Sequence, residues 1–68
     1  MNRRDQLLEI ARGNVERNLG CCVEEGDSAD KVFEEAYTLG FDALVDAGAS
    51  VEDARSIAYE CAQNFAQP

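Results

Sequence analysis

The helical spacing of apolar residues constrains the fold more than any other feature. Two short breaks in this pattern divide the chain into three segments. Within each segment, apolar and small residues recur three or four positions apart, so they fall on one side of an α-helix. The breaks are Gly26-Asp27-Ser28 and Gly48-Ala49-Ser50, where a glycine suited to end a helix precedes a serine suited to begin one. The pattern predicts helices over residues 3–24, 28–47 and 51–66, and no strand.

Each predicted helix carries one apolar stripe that we expect to face a common core. The connection between the second and third helices is so short that the two must form an antiparallel hairpin. The predicted fold is therefore an all-α, single-domain, three-helix bundle, with a break of the first helix at Gly20 left open. The expected core residues are Leu7, Leu8, Ala11, Val15, Leu19, Cys22 and Val23, then Ala29, Val32, Phe33, Ala36, Gly40, Ala43, Leu44 and Ala47, then Val51, Ala54, Ile57, Ala58, Cys61 and Phe65.

Charge is distributed unevenly along the chain. Residues 1–19 carry four arginines against three acids, a net charge of +1, whereas residues 20–68 carry Lys31 and Arg55 against eleven acids, a net charge of −9. The whole chain of 68 residues therefore has a net charge of −8 at neutral pH. Such a field repels nucleic acid and anionic lipid and attracts basic protein surfaces. We expect the partner to be a basic or nucleic-acid-binding protein, with no direct binding to nucleic acid or membrane.

The residue types favour binding over catalysis. The chain has no histidine, the commonest general base, and no glycine-rich phosphate loop or dinucleotide-binding motif. No run approaches the roughly 18 apolar residues of a membrane span, and the N-terminal segment lacks the apolar region of a signal peptide. We therefore expect a cytoplasmic protein that is not an enzyme and uses no cofactor or metal.

Three cysteines in a chain without a secretion signal indicate reduced thiols rather than a disulfide framework. Cys22 and Cys61 fall inside the apolar stripes, so we expect both to be buried as small hydrophobic side chains. Cys21 falls at the margin of its stripe and is expected to react faster. A bridge between Cys22 and Cys61 under oxidation is the alternative.

One side of the second helix combines carboxylates with apolar side chains. Phe41 and Val45 lie one turn apart on the charged side, with Tyr37 at its margin. Apolar side chains ringed by carboxylates are typical of a protein-binding patch with a polar rim. The alternatives are that the first helix covers these side chains and that the acids serve only solubility. Ile10 and Tyr59 are interpreted as isolated outward-facing residues. The predicted partner-binding residues are Asp30, Glu34, Tyr37, Phe41, Asp42, Val45 and Asp46.

Two local motifs resemble those of known families. Gly26-Asp27-Ser28 resembles the Asp-Ser motif of acyl carrier proteins, which are also small, acidic and helical, and it implies a carrier modified at Ser28. However, Ala29 stands where those proteins have leucine, and only 27 residues precede the serine. The segment 44–58 resembles a helix-turn-helix, but the acidity of its second helix disfavours DNA binding.

In size, acidity and helical build, the whole chain resembles the small acidic inhibitors of phages and mobile elements, the anti-CRISPR proteins among them. These proteins share no motif, so no residue role is carried over. The resemblance implies an inhibitor or regulator that docks on a basic, nucleic-acid-binding surface of its partner. Because small core residues bury modest area, a dimerising structural or assembly subunit remains an alternative, as does the acyl-carrier interpretation.

Overall fold

Three α-helices make up the computed structural model, which describes residues 2–66. α1 spans Arg3–Cys22, α2 spans Ala29–Asp46 and α3 spans Val51–Ala66, and no strand is present within the described residues. None of the three helices has the length and apolar character needed to cross a membrane. The predicted all-α bundle with an α2–α3 hairpin is therefore confirmed.

The helices run up, down and up. The guanidinium of Arg4, near the start of α1, lies 3.1 Å from the Glu60 carboxylate and 3.4 Å from the Ser56 hydroxyl, both in the middle of α3. Farther along α1, the Asn14 side-chain amide donates a hydrogen bond of 2.8 Å to the backbone carbonyl of Leu39 in α2. The Asn18 amide in turn donates to Asn14, at 2.9 Å from its side-chain oxygen. These contacts fix the position of α1 along the hairpin.

The turn between α1 and α2 ends the first helix earlier than the apolar pattern predicts. The Asp27 side chain accepts a hydrogen bond of 2.8 Å from the backbone N–H of Glu24, and the Glu24 carbonyl accepts one of 3.1 Å from Asp27 N–H. This reciprocal pair closes a turn with Gly26 in the left-handed region, at φ 96°. α1 therefore ends at Cys22 instead of Glu24, and it passes through Gly20 without a break.

The turn between α2 and α3 has the hydrogen bonding of a Schellman motif. Gly48, at φ 89°, donates to the Val45 carbonyl, and Ala49 donates to the Leu44 carbonyl, both at 3.0 Å. Ser50 then caps α3 by accepting a 3.2 Å hydrogen bond from the backbone N–H of Asp53. The glycine and serine of the predicted break therefore perform the two roles expected of them.

The centre of the bundle is a close approach of three small residues, one from each helix. A methyl group added at Gly40 of α2 would lie 3.6 Å from the Ala11 methyl of α1 and 3.8 Å from the Ala58 methyl of α3. Around this point the core contains ten buried hydrophobic residues, five of which are alanines. They are Leu7, Ala11, Val15, Ala36, Leu44, Ala54, Ile57, Ala58, Cys61 and Ala62.

Four of the predicted core residues are exposed, and all four lie at or beside helix ends. They are Cys22, Ala29, Ala47 and Val51. The stripe direction is correct at these positions, but no neighbouring helix covers them there. Seven further predicted core residues are only half-buried: Leu8, Leu19, Val23, Val32, Phe33, Ala43 and Phe65. Ala62, which was not predicted, is fully buried.

The cysteines differ from expectation at one position. Cys61 is buried as predicted, and Cys21 is exposed, but Cys22 is also exposed, so its assignment to the core is wrong. All three thiols are free in this structure. Burial raises the pKa of the Cys61 thiol, and the positive charge of Arg12 only partly opposes this effect.

We expect two thiols to react quickly with an alkylating reagent and the third to react only on unfolding. Cys21 and Cys22 are exposed, whereas Cys61 is buried and has a raised pKa, which lowers the population of its reactive thiolate. Mass spectrometry of the alkylated protein over time, with a denatured sample as control, measures this. Modification of a single cysteine in the native protein would contradict the exposure of Cys22.

Gly40→Ala should stabilise the protein, because the added methyl group fits at ordinary contact distance and alanine favours a helix interior by up to about 1 kcal/mol. Gly40→Val should destabilise it by about 1–3 kcal/mol, because the larger side chain overfills the helix crossing. Gly48→Ala is the matched control, since its positive φ makes alanine unfavourable by about 1–2 kcal/mol. Thermal unfolding followed by circular dichroism ranks the three, and a destabilised Gly40→Ala would show that the helices are closer than described.

Candidate protein-binding face

Four aromatic side chains form a continuous row across α2 and α3. Phe33, Tyr37 and Phe41 follow one another at intervals of four residues along one flank of α2, and Tyr59 extends the row onto α3. The ring centroids of Phe33 and Tyr37 are 6.4 Å apart, and those of Tyr37 and Phe41 are 6.0 Å apart. We call Phe33, Tyr37, Phe41 and Tyr59 the aromatic row.

The rings within α2 are nearly parallel, and the ring on α3 meets them edge-on. The interplanar angles are 17° for Phe33 with Tyr37 and 21° for Tyr37 with Phe41. Tyr59 lies 5.2 Å from Phe33 at an angle of 73°, an edge-to-face arrangement of the kind that aromatic pairs prefer. Because this contact joins two helices, the aromatic row depends on the packed hairpin.

The row is embedded in the core at one side and accessible at the other. Phe33, Tyr37 and Phe41 are half-buried and pack against the buried core, while Tyr59 is 52% exposed. Val45, one turn beyond Phe41, is 47% exposed. Phe41 therefore contributes to the fold as well as to the surface, which corrects the expectation that it lies outside the core packing. Tyr59 is likewise not isolated, since it contacts Phe33.

Two exposed carboxylates lie on the same flank as the aromatic row. Asp30 precedes Phe33 by three residues, and Glu34 precedes Tyr37 by three, so that each acid shares a face of α2 with a ring. Among residues 2–66 the ion pairs are Arg4–Glu60, Arg12–Glu16 and Lys31–Glu35. The carboxylates of Asp30 and Glu34 therefore have no cationic partner within the described chain.

Asp42 and Asp46 lie at the far margin of the predicted site. Both are exposed, and Asp42 precedes Val45 by three residues, so it shares a face of α2 with that side chain. Asp46 directly follows Val45 and therefore points about 100° farther round the helix. The predicted residues thus form one broad side of α2, with Asp30, Glu34, Tyr37, Phe41 and Val45 beside the aromatic row and with Asp42 and Asp46 at its edge.

Phe33, a predicted core residue, and Tyr59, a predicted isolated residue, both belong to this face. The four-residue spacing of Phe33, Tyr37, Phe41 and Val45 indicates that Phe33 shares a face of α2 with the other three residues. No local pattern identifies Tyr59, because its contact with Phe33 is formed between helices.

Ser28 and the acidic turn have structural roles in this structure. The Ser28 hydroxyl caps α2 by accepting a 3.2 Å hydrogen bond from the backbone N–H of Lys31.

Across residues 2–66, no three His, Cys, Asp or Glu side chains converge to hold a metal ion. An open hollow of about 310 Å³ between α1 and α3 is lined by Arg12, Glu16, Asn64 and Phe65. Its two charged groups lie 3.9 Å apart and pair with each other.

Comparisons with protein-family models, curated proteins and solved structures found no match.

We expect the residues of this flank to differ in how much they stabilise the fold. Phe41→Ala should lower the free energy of unfolding by about 2 kcal/mol, because a half-buried ring leaves the core packing. Val45→Ala should change it by less than about 0.5 kcal/mol, as is usual for an exposed side chain. Urea denaturation of both variants measures the difference. Equal losses would mean that Val45 is packed or that Phe41 is not.

Proposed function

We propose that this chain is a small acidic protein-binding module that works by docking rather than by catalysis. The observation that carries the proposal is the aromatic row beside Asp30 and Glu34, on a chain with a net charge of −8. Half-buried rings supply apolar area, and carboxylates without internal partners supply charge that a basic surface can neutralise. The chain has no histidine, the commonest general base, and this supports docking over catalysis.

The partner that fits this face is a protein with a basic surface, and such surfaces commonly bind nucleic acid. A chain docked there would occupy the place of the phosphate backbone. We therefore propose that the module inhibits or regulates a nucleic-acid-binding protein by competition. An inhibitor of a CRISPR effector is the most concrete version of this proposal, in keeping with the size, acidity and helical build of the chain.

A second candidate is a dimerising structural or assembly subunit. It is favoured by the exposure of Val45 (47%) and Val51 (56%), which lie near the turn that joins α2 to α3. Two such apolar ends can bury each other in a symmetric pair. Against this candidate, two copies would each bring a net charge of −8 to the contact. Sedimentation equilibrium over a range of protein concentrations distinguishes a dimer from a monomer.

Charge reversal on the proposed face should weaken partner binding, and the same reversal elsewhere should not. The immobilised chain is used to capture proteins from a nuclease-treated bacterial lysate, and each captured protein is then purified for binding kinetics. Glu34→Lys should slow association about tenfold at low salt, with a smaller effect at high salt because exposed charges are screened. Glu9→Lys is the matched control, being exposed on α1 and away from the aromatic row.

Competition completes this test. Added DNA or RNA should displace the captured protein, and the chain should in turn reduce that protein's binding to nucleic acid. For the CRISPR version, the chain is titrated into a purified guide-loaded effector, and binding of target DNA is measured. Capture that is insensitive to both nucleic acid and Glu34→Lys would rule out docking through this face on such a surface.

A further inference from the structure

Resting on the proposed function, we propose that the aromatic row recognises arginine side chains, so that the partner segment is rich in arginine rather than lysine. The guanidinium groups stack on the accessible ring surfaces and pair with the carboxylates of Asp30 and Glu34. This goes beyond attraction to positive charge in general, because it names the side chain that the face selects.

The arrangement of the rings suits a planar cation. Along α2 the planes of neighbouring rings differ by 17° for Phe33 and Tyr37 and by 21° for Tyr37 and Phe41, and the centroids of each pair are 6.4 and 6.0 Å apart. A planar group that stacks on one ring therefore meets the next ring in nearly the same orientation. Tyr59 adds a ring at 73° to Phe33 and is the most accessible member of the row. A cation within about 6 Å of such a ring centroid is attracted by the π-electron face.

The carboxylates on the same flank complete the recognition of arginine. Asp30 and Glu34 are one helical turn apart and each lies three residues before a ring. A guanidinium can stack on a ring with its flat face while its N–H groups, which lie in its plane, reach a carboxylate. A lysine ammonium is a compact, strongly hydrated charge that has no flat face to stack. The combination therefore favours arginine.

The same features disfavour other occupants of the face. Nucleic acid and anionic lipid are repelled by the carboxylates and by the net charge of −8. A second copy placed face to face would oppose Asp30 and Glu34 with the same two acids. An arginine-bearing protein segment can pair with the carboxylates and also stack on the rings.

The experiment compares two peptides of equal length and charge, hexa-arginine and hexa-lysine, by calorimetric titration of the full chain at 0.1 M salt. We expect the arginine peptide to bind up to about fivefold more tightly. An exposed contact between a cation and a ring contributes a factor of about two to five, and the strongly hydrated lysine ammonium keeps less of it than a stacked guanidinium. Shifts of backbone amide resonances should concentrate at residues 30–41 and around Tyr59. Equal affinities would overturn the selection of arginine while leaving docking of basic partners on this face intact.

Substitutions at the exposed Tyr59 distinguish the contribution of the aromatic ring from that of apolar volume, and they leave the buried core unchanged. Tyr59→Leu should reduce the preference for arginine by about threefold, whereas Tyr59→Phe should retain it, because phenylalanine keeps the ring. Glu34→Gln should weaken the binding of both peptides. Glu9→Gln should weaken their binding only slightly, because it removes one charge that is distant from the aromatic row. Circular dichroism confirms that each variant is folded.

Three results would overturn the inference. A Tyr59→Leu variant that keeps the full preference for arginine would remove the ring from the recognition. Resonance shifts confined to other acids, such as Glu52 and Asp53, would place the peptide off this face and contradict the proposed function as well. Sedimentation that shows a dimer, with the aromatic row protected in it, would assign the face to a second copy.

Discussion

The close approach of Ala11, Gly40 and Ala58 is the constraint on which the rest of the structure depends. Each helix contributes at most a methyl group at this point, so the three backbones come close together. An interior of this kind is filled largely by alanine and has little room for aromatic rings. The rings of α2 are placed on its flank instead, where they cover the core from outside and stay half-exposed. The small-residue centre and the aromatic surface are therefore two results of the same packing.

The sequence was sufficient to predict the three helices and their hairpin because the information for both is local. Gly48 and Ser50 specify the α2–α3 turn through backbone conformation and capping, which depend on a few neighbouring residues. The end of α1 was less accurate because apolar spacing continues to Val23, while the turn closed by Asp27 stops the helix at Cys22. Where periodicity and turn chemistry conflicted, the turn determined the boundary.

Burial was predictable in direction but not in extent. Periodicity shows which side of a helix faces inward, and Leu44, Ile57 and Cys61 are buried as that argument requires. It contains no information on how far the neighbouring helices reach, so it assigned the exposed Cys22 and Val51 to the core. Connections formed by polar side chains across helices, such as Asn14 to Leu39, leave no periodic signal at all.

The candidate face was predictable only within α2. Tyr37, Phe41, Asp30 and Glu34 share one flank, as the helical spacing indicates. Asp42 shares a face with Val45 by the same spacing, and Asp46 lies farther round α2, so these two acids form the edge of the face and not its centre. Tyr59 could not be included from sequence, because its contribution depends on how α3 packs beside Phe33.

The composition of the aromatic row has a consequence for how the protein can be observed. The chain contains no tryptophan and two tyrosines, Tyr37 and Tyr59, and both belong to the row. The near-ultraviolet absorbance and intrinsic fluorescence of the native protein therefore originate almost entirely from this one face. The molecule carries its own optical reporter there, so an event at the aromatic row changes the emission directly, whereas an event on α1 reaches it only through the fold.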